Sequence, residues 1–241
     1  MEIKIYKTSK ELSENLSDYI IDYFILKHKN IAISGGSTPI ELFKSLAQKL
    51  GKSKKIDSNF YWIDERCVPP NSEESNFKSA NEHLFKKINI NHDSINRIIG
   101  ENDPQSEAKR YSDLLTKNLD SKNDLPSLDL SILGIGDDGH TASIFPHQLE
   151  EFKNINECLI ATHPLSKQKR VSLSRNLINN SKEIIFHVTG NGKTNIVDEI
   201  INEIGNHKSY PASSIKPSSG KLSWYLDFDA AEKLTKRTQC A

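Results

Sequence analysis

Short apolar runs alternate with amphipathic stretches along almost the whole of this chain, and that alternation leaves few folds open. The runs at residues 3–6, 31–34, 60–63, 128–133, 158–162, 171–173 and 184–188 have the length and apolar character of strands. Between the first two, residues 9–27 place Leu12, Leu16, Tyr19, Ile20, Tyr23 and Phe24 at helical spacing, and residues 39–50, 104–119 and 193–204 also read as helices. Pro39 suits the first turn of its helix, where a missing N–H costs nothing. Strands that alternate with helices predict an α/β fold with a mostly parallel sheet covered by helices on both faces. The chain has 241 residues, no internal repeat and no low-complexity linker, so residues 1–241 are expected to form a single domain. Two loops, 64–76 and 205–221, are long for connections in such a fold, and long loops in compact domains often carry function.

Composition then limits the partners. Lys+Arg and Asp+Glu balance at 32 each, so no global field draws nucleic acid or an anionic membrane, and any anion site has to be local. The longest apolar stretch, residues 20–26, is interrupted by Asp22 and is far too short to span a bilayer. The first residues carry no apolar signal region. Cys67, Cys158 and Cys240 are odd in number and widely separated, with no metal-ligand spacing, and read as ordinary small residues or a tail thiol. These features predict a soluble cytoplasmic protein that engages neither nucleic acid nor membrane.

The densest chemistry lies at residues 128–146, where a buried-strand run empties into a glycine turn carrying Asp137, Asp138 and His140. Open α/β sheets place their ligands in the crevice beyond the carboxyl ends of the strands. An imidazole, with a reference pKa near ~6.5, accepts a proton at neutral pH, so His140 reads first as a general base for a small substrate. The second reading is a cap or turn residue. A metal site built from Asp137, Asp138, His140 and His147 ranks last, because no metal-ligand spacing backs it. His28, His83, His92, His163, His187 and His207 have no comparable setting and read as ordinary surface or core residues.

Three further segments offer anion-binding groups. Ser34-Gly35-Gly36-Ser37-Thr38-Pro39 joins a strand to a helix, and glycines before a helix N-terminus make a phosphate cradle; a plain capped turn reads equally well. Asp64-Glu65-Arg66 follows the third strand, where the charges either pair internally or leave the Arg66 fork for an anion. Lys193 stands near a helix start, where the dipole disfavours a cation unless an anion is bound, and Arg170 opens a strand. Two nucleotide motifs fail. Gly190-Asn191-Gly192-Lys193-Thr194 has His187 where a P-loop needs its first glycine, and Gly134-Ile135-Gly136-Asp137-Asp138-Gly139 would aim two aspartates at a pyrophosphate.

Together these segments resemble the glucosamine/galactosamine-6-phosphate isomerase and 6-phosphogluconolactonase superfamily, on its lactonase side. The matching pieces run in order: Ser34 to Pro39, Trp62 to Pro69 with Ser75-Asn76, Leu133 to Pro146, Arg170 to Ser174, Gly190 with Lys193, Pro211-Ala212, and Trp224 with Asp227 and Ala230. The resemblance implies a Rossmann-like domain that hydrolyses 6-phospho-D-glucono-1,5-lactone to 6-phosphogluconate in the oxidative pentose phosphate pathway, with no cofactor and no metal. It implies His140 as general base with Asp138 as its partner, and Gly35, Gly36, Ser37, Asp64, Arg66, Arg170 and Lys193 around the substrate and its phosphate. Isomerases of the superfamily continue the Asp64-Glu65 motif with tyrosine and carry an acid before the proline matching Pro146. Here Arg66 and Phe145 stand at those places, which favours the lactonase over an amino-sugar-phosphate isomerase/deaminase. A non-catalytic sugar-phosphate sensor is the remaining alternative, and no output module such as a helix-turn-helix is evident for it.

Overall fold

Most of the apolar runs assemble into one seven-stranded sheet in the computed structural model, which describes residues 1–218 and 220–234. Cys240 lies outside the described residues. In chain order the principal strands are β1 (Glu2–Tyr6), β2 (Asn30–Ile33), β3 (Asn59–Trp62), β4 (Asp64–Arg66), β5 (Ile95–Asn96), β6 (Leu130–Leu133), β7 (Leu159–Thr162), β8 (Lys169–Ser172), β9 (Glu183–Val188) and β10 (Lys221–Asp227). The large sheet runs β1-β10-β9-β6-β2-β3-β5, with every pairing parallel. β7, β8 and β4 form a separate antiparallel sheet. Every residue of β6 and β9 is buried, as expected of central parallel strands covered on both faces.

The helices are α1 (Ser9–Tyr23), α2 (Pro39–Leu50), α3 (Asn76–His83), α4 (Pro104–Asn118), α5 (Arg175–Asn179) and α6 (Thr194–Ile201). α1 and α2 pack together, and Tyr19 of α1 lies over Tyr225 of β10 with ring centroids 6.2 Å apart. The opposite face carries Phe186 stacked on Trp224 at 4.3 Å, both fully buried. No described helix is long and apolar enough to cross a membrane.

Several expectations are corrected. The first helix stops at Tyr23 rather than residue 27; a tight turn, Ile25–Lys27, follows and ends at His28 in the left-handed region. Ser58 Oγ donates to the Ile25 carbonyl at 3.1 Å, so the departing chain finds its hydrogen bonds in tertiary structure. The strands near 158–162 and 171–173 leave the main sheet. The third strand ends at Trp62, and Ile63 separates it from β4 by donating to Ile33 and accepting from Leu173 at 2.9 and 2.8 Å. α3 had no apolar period to announce it: only Asn76 and Ala80 of its eight residues are buried, and side-chain caps hold its start.

Connectivity fixes where a ligand enters. From β2 the chain crosses through α2 to β3 on one side, whereas from β6 it crosses through α5 to β9 and α6 to β10 on the other. The direction of winding reverses between β2 and β6, and a crevice opens beyond their carboxyl ends.

Candidate active site

Two glycine-bearing loops flank that crevice. After β2, Ser34 Oγ reaches across to the Ile132 carbonyl at 2.9 Å, tying the two central strands together. A Cβ at Gly35 would fall 1.9 Å from Asn76 Oδ1, so only glycine lets this loop pass over the first residue of α3. No side chain caps α2, which removes the plain capped-turn reading of Ser37 and Thr38. Residues 35–39 instead line the cavity.

After β6, the chain folds back so that Gly136 N–H donates to the His140 carbonyl at 2.9 Å and Gly139 N–H to the Gly136 carbonyl at 3.0 Å. The imidazole of His140 lies against Gly136, where a Cβ would sit 2.1 Å from the ring. Asp138 Oδ1 accepts from both the His140 backbone N–H at 3.0 Å and its Nδ1 at 2.5 Å. An ionised carboxylate only accepts, so Nδ1 carries the proton and Nε2 of the neutral ring keeps its lone pair. Burial alone would raise the Asp138 pKa; the hydrogen bonds from His140 outweigh it and bring the carboxyl down to about 2. Beyond this turn Ala142 takes a positive φ of 53°, unusual for a residue with a Cβ. Ser143 then reaches Asp64, donating from Oγ to Oδ2 at 2.7 Å.

The charges of Asp64-Glu65-Arg66 neither pair internally nor act together, because strand alternation sends Glu65 one way and its neighbours the other. Glu65 is a buried cap for α3, accepting from the N–H groups of Asn76 and Phe77 at 2.8 Å each, and from Ser75 Oγ at 3.0 Å. Burial pushes its pKa up, with these bonds opposing. Asp64 and Arg66 face the cavity. Arg66 stands directly opposite Arg170 in the β4–β8 ladder, a pairing of like charges that costs energy unless something neutralises it. Arg66 donates to the Glu74 carbonyl at 2.5 Å, and Arg170 lies over the Phe145 ring at 5.5 Å. Neither Nε has a partner among the described residues. Burial lowers the Arg170 pKa, Asp64 opposes that shift and Arg66 adds to it.

Lys193 arrives from the far side of the crevice. Its turn is held by Asp227 at the end of β10, whose carboxylate accepts from Gly190 N–H at 3.0 Å and Ala230 N–H at 2.8 Å. The Lys193 ammonium is ion-paired with the exposed Asp137, so any bound anion would share this cation with a carboxylate.

A cavity of about 220 Å³ gathers Gly35, Gly36, Ser37, Asp64, Arg66, His140, Arg170 and Lys193 from five separate segments. Asp138 stands behind His140 rather than in the wall. Two wall residues were missed by residue-level reading: Asn76, legible only as part of a family motif, and His187, read as an ordinary histidine. His163 is also nearer than expected, packed edge-on against Phe145 at 5.4 Å, with its pKa lowered by burial and then by Arg170 and His140. Burial raises the thiols of Cys67 and Cys158 to about 11 and about 12, so neither is a thiolate at neutral pH. Among the described residues no group of three or more His, Cys, Asp or Glu is arranged to hold a metal ion.

A doubly wound sheet whose crevice joins a histidine–aspartate pair to a cluster of cations defines a protein built for small anionic substrates. The family described as glucosamine-6-phosphate isomerases/6-phosphogluconolactonase matches residues 7–224, and the chain belongs to that family. Within it the chain sides with the 6-phosphogluconolactonases. It is 40% identical to the 6-phosphogluconolactonase of Aggregatibacter actinomycetemcomitans, over 95% of this chain and 98% of the relative. The crystal structure of devB protein superposes with a TM-score of 0.88 at 39% identity, covering 97% of this chain and 99% of that one. The 6-phosphogluconolactonase of Trypanosoma brucei superposes with a TM-score of 0.83 at 27% identity, covering 97% and 98%.

Proposed function

We propose that this enzyme hydrolyses 6-phospho-D-glucono-1,5-lactone to 6-phosphogluconate, the lactone-opening step of the oxidative pentose phosphate pathway, with His140 as general base. One observation carries the mechanism: His140, its Nδ1 committed to Asp138, lines the same cavity as Arg66, Arg170, Lys193 and the 35–37 loop. Nε2 takes a proton from water as the water oxygen bonds to the lactone carbon. The resulting oxyanion collapses, the bond from that carbon to the ring oxygen breaks, and the imidazolium returns its proton to the departing oxygen. Asp138 stabilises the imidazolium without taking the proton, because its own pKa is far too low.

The phosphate belongs with the arginine pair, whose mutual repulsion an anion relieves, and with Lys193. Binding it holds the carbonyl at the histidine, so remote contacts contribute to the chemical step. The glycine turn itself is a poor oxyanion hole, since Gly136 and Gly139 spend their N–H groups inside the turn. That role falls to the 35–37 loop or to a cation. Residues 1–241 are taken to work as one domain, since segments distant along the chain build the site cavity together.

The test is decay of freshly generated lactone against a no-enzyme background, without added metal or nucleotide, beside glucosamine-6-phosphate. Acceleration of lactone loss is expected. Ammonia release from the amino sugar with unaltered lactone decay would establish the deaminase instead, and binding without turnover of either would establish a sensor.

A further inference from the structure

His187 has no role in the mechanism above, yet it is the most conspicuous unexplained group in the cavity. It lies near the carboxyl end of β9, is only 2% exposed, and neither ring nitrogen has a hydrogen-bond partner among the described residues. Buried polar side chains are almost always bonded, because an unpaired one forfeits its hydration without compensation. The parallel register pairs Ile185 with Ile132, so His187, two residues on, projects from the same face as these two isoleucines. Leu42 and Phe43 of α2 and Ile33 of β2 complete that part of the cavity wall. None of these side chains can hydrogen-bond. Tyr225, opposite His187 in the β9–β10 ladder, bonds Lys4 through its hydroxyl at 3.0 Å instead, so the missing partner of the imidazole points to whatever fills the cavity.

The chemistry of the ring narrows what that partner is. Burial lowers the His187 pKa to about 4, so the ring is uncharged at neutral pH and offers one donor and one acceptor. A hydroxyl suits either ring nitrogen, donating to the bare one or accepting from the N–H. A phosphate, which only accepts, is better served by the cations at the other wall. We propose that His187 binds a ring hydroxyl of the sugar lactone and so helps decide which phosphosugar lactone the cavity accepts. This rests on the lactonase reading for the identity of the ligand.

The test compares His187→Leu and His187→Gln with the wild type, using lactone kinetics and, separately, calorimetric binding of the product 6-phosphogluconate. His187→Leu should raise KM and weaken product binding about tenfold while kcat moves less than about threefold, and His187→Gln should recover part of the loss. Lactones lacking one ring hydroxyl supply a readout that needs no variant. One of them should lose about tenfold in kcat/KM with the wild type, and that penalty should vanish in His187→Leu. A folded His187→Leu variant with unchanged KM and product affinity would overturn the proposal, as would deoxy-lactones equally penalised with and without the imidazole. Failure of the wild type to open the lactone, with His187-dependent binding of the product intact, would sink the activity and leave this contact standing.

Discussion

Asp138, His140 and Gly136 act as one unit. The carboxylate fixes the proton on Nδ1, and the missing Cβ of Gly136 leaves the space in which the ring lies. His140→Ala should lower kcat by about 10²–10⁴-fold with a smaller change in KM, measured against the spontaneous rate. Gly136→Ala should give a comparable loss while the protein still folds, because the added methyl meets the ring and not the core; unchanged kcat would show that the ring works from another position. Lys193→Ala is expected to act mainly on KM, raising it about tenfold or more by loss of a charge-assisted contact. The Asp138 shift bounds what this carboxylate contributes to the pH–rate profile. Its pKa falls from 3.8 to about 2, so its stabilising contribution is complete above pH 4 and disappears only as pH drops through 2. Loss of activity between pH 5 and 7 therefore reports protonation of another group, and the profile of Asp138→Asn should lose height before it changes position. The Asp138–His140 pairing was expected from the family resemblance, since two-residue spacing alone did not guarantee the contact that the turn makes. The division of labour within Asp64-Glu65-Arg66 was not legible in the sequence, because it depends on which side of β4 each side chain meets.

At the scale of elements, the site depends on α3 being docked by its first turn. Glu65 satisfies the Asn76 and Phe77 N–H groups, and Asn76 in turn donates to the Asp64 carbonyl at 2.8 Å beneath the Gly35 loop. Glu65→Ala should destabilise the protein by about 1–3 kcal/mol in chemical denaturation, through buried N–H groups left unpaired, and should raise KM by freeing the Arg66 segment. Ser75→Ala, which removes one N-cap acceptor, should cost about 1 kcal/mol and spare kcat. Most strands and the longer helices were readable from apolar period, but β5, only two residues long, and β10, a seven-residue strand of the main sheet, were not read. α3, held by caps rather than by an apolar stripe, and β4, too short to show a period, were not readable either.

For the molecule as a whole, the buried imidazole of His187 has a thermodynamic consequence independent of any ligand. Its pKa falls from 6.5 to about 4, so between those values the unfolded chain binds a proton that the native state refuses. Stability is complete above pH 6.5 and declines as the solution is acidified towards pH 4. Denaturation curves at pH 4.5 and 7 should differ less in His187→Leu than in the wild type; an equal difference would mean that the imidazole is not buried as a neutral group. The alternation of strands and helices, the two glycine loops and the local aspartate–histidine turn were determined by the sequence alone, because periodicity, backbone permissiveness and short-range hydrogen bonds operate within a few residues. The arginine pair, the Asp137–Lys193 contact, the seat of Asn76 under Gly35 and the place of His187 in the cavity wall were decided only by the tertiary structure. Each joins segments tens of residues apart or more, and what brings them together is the order and winding of the sheet, which no local stretch of chain encodes.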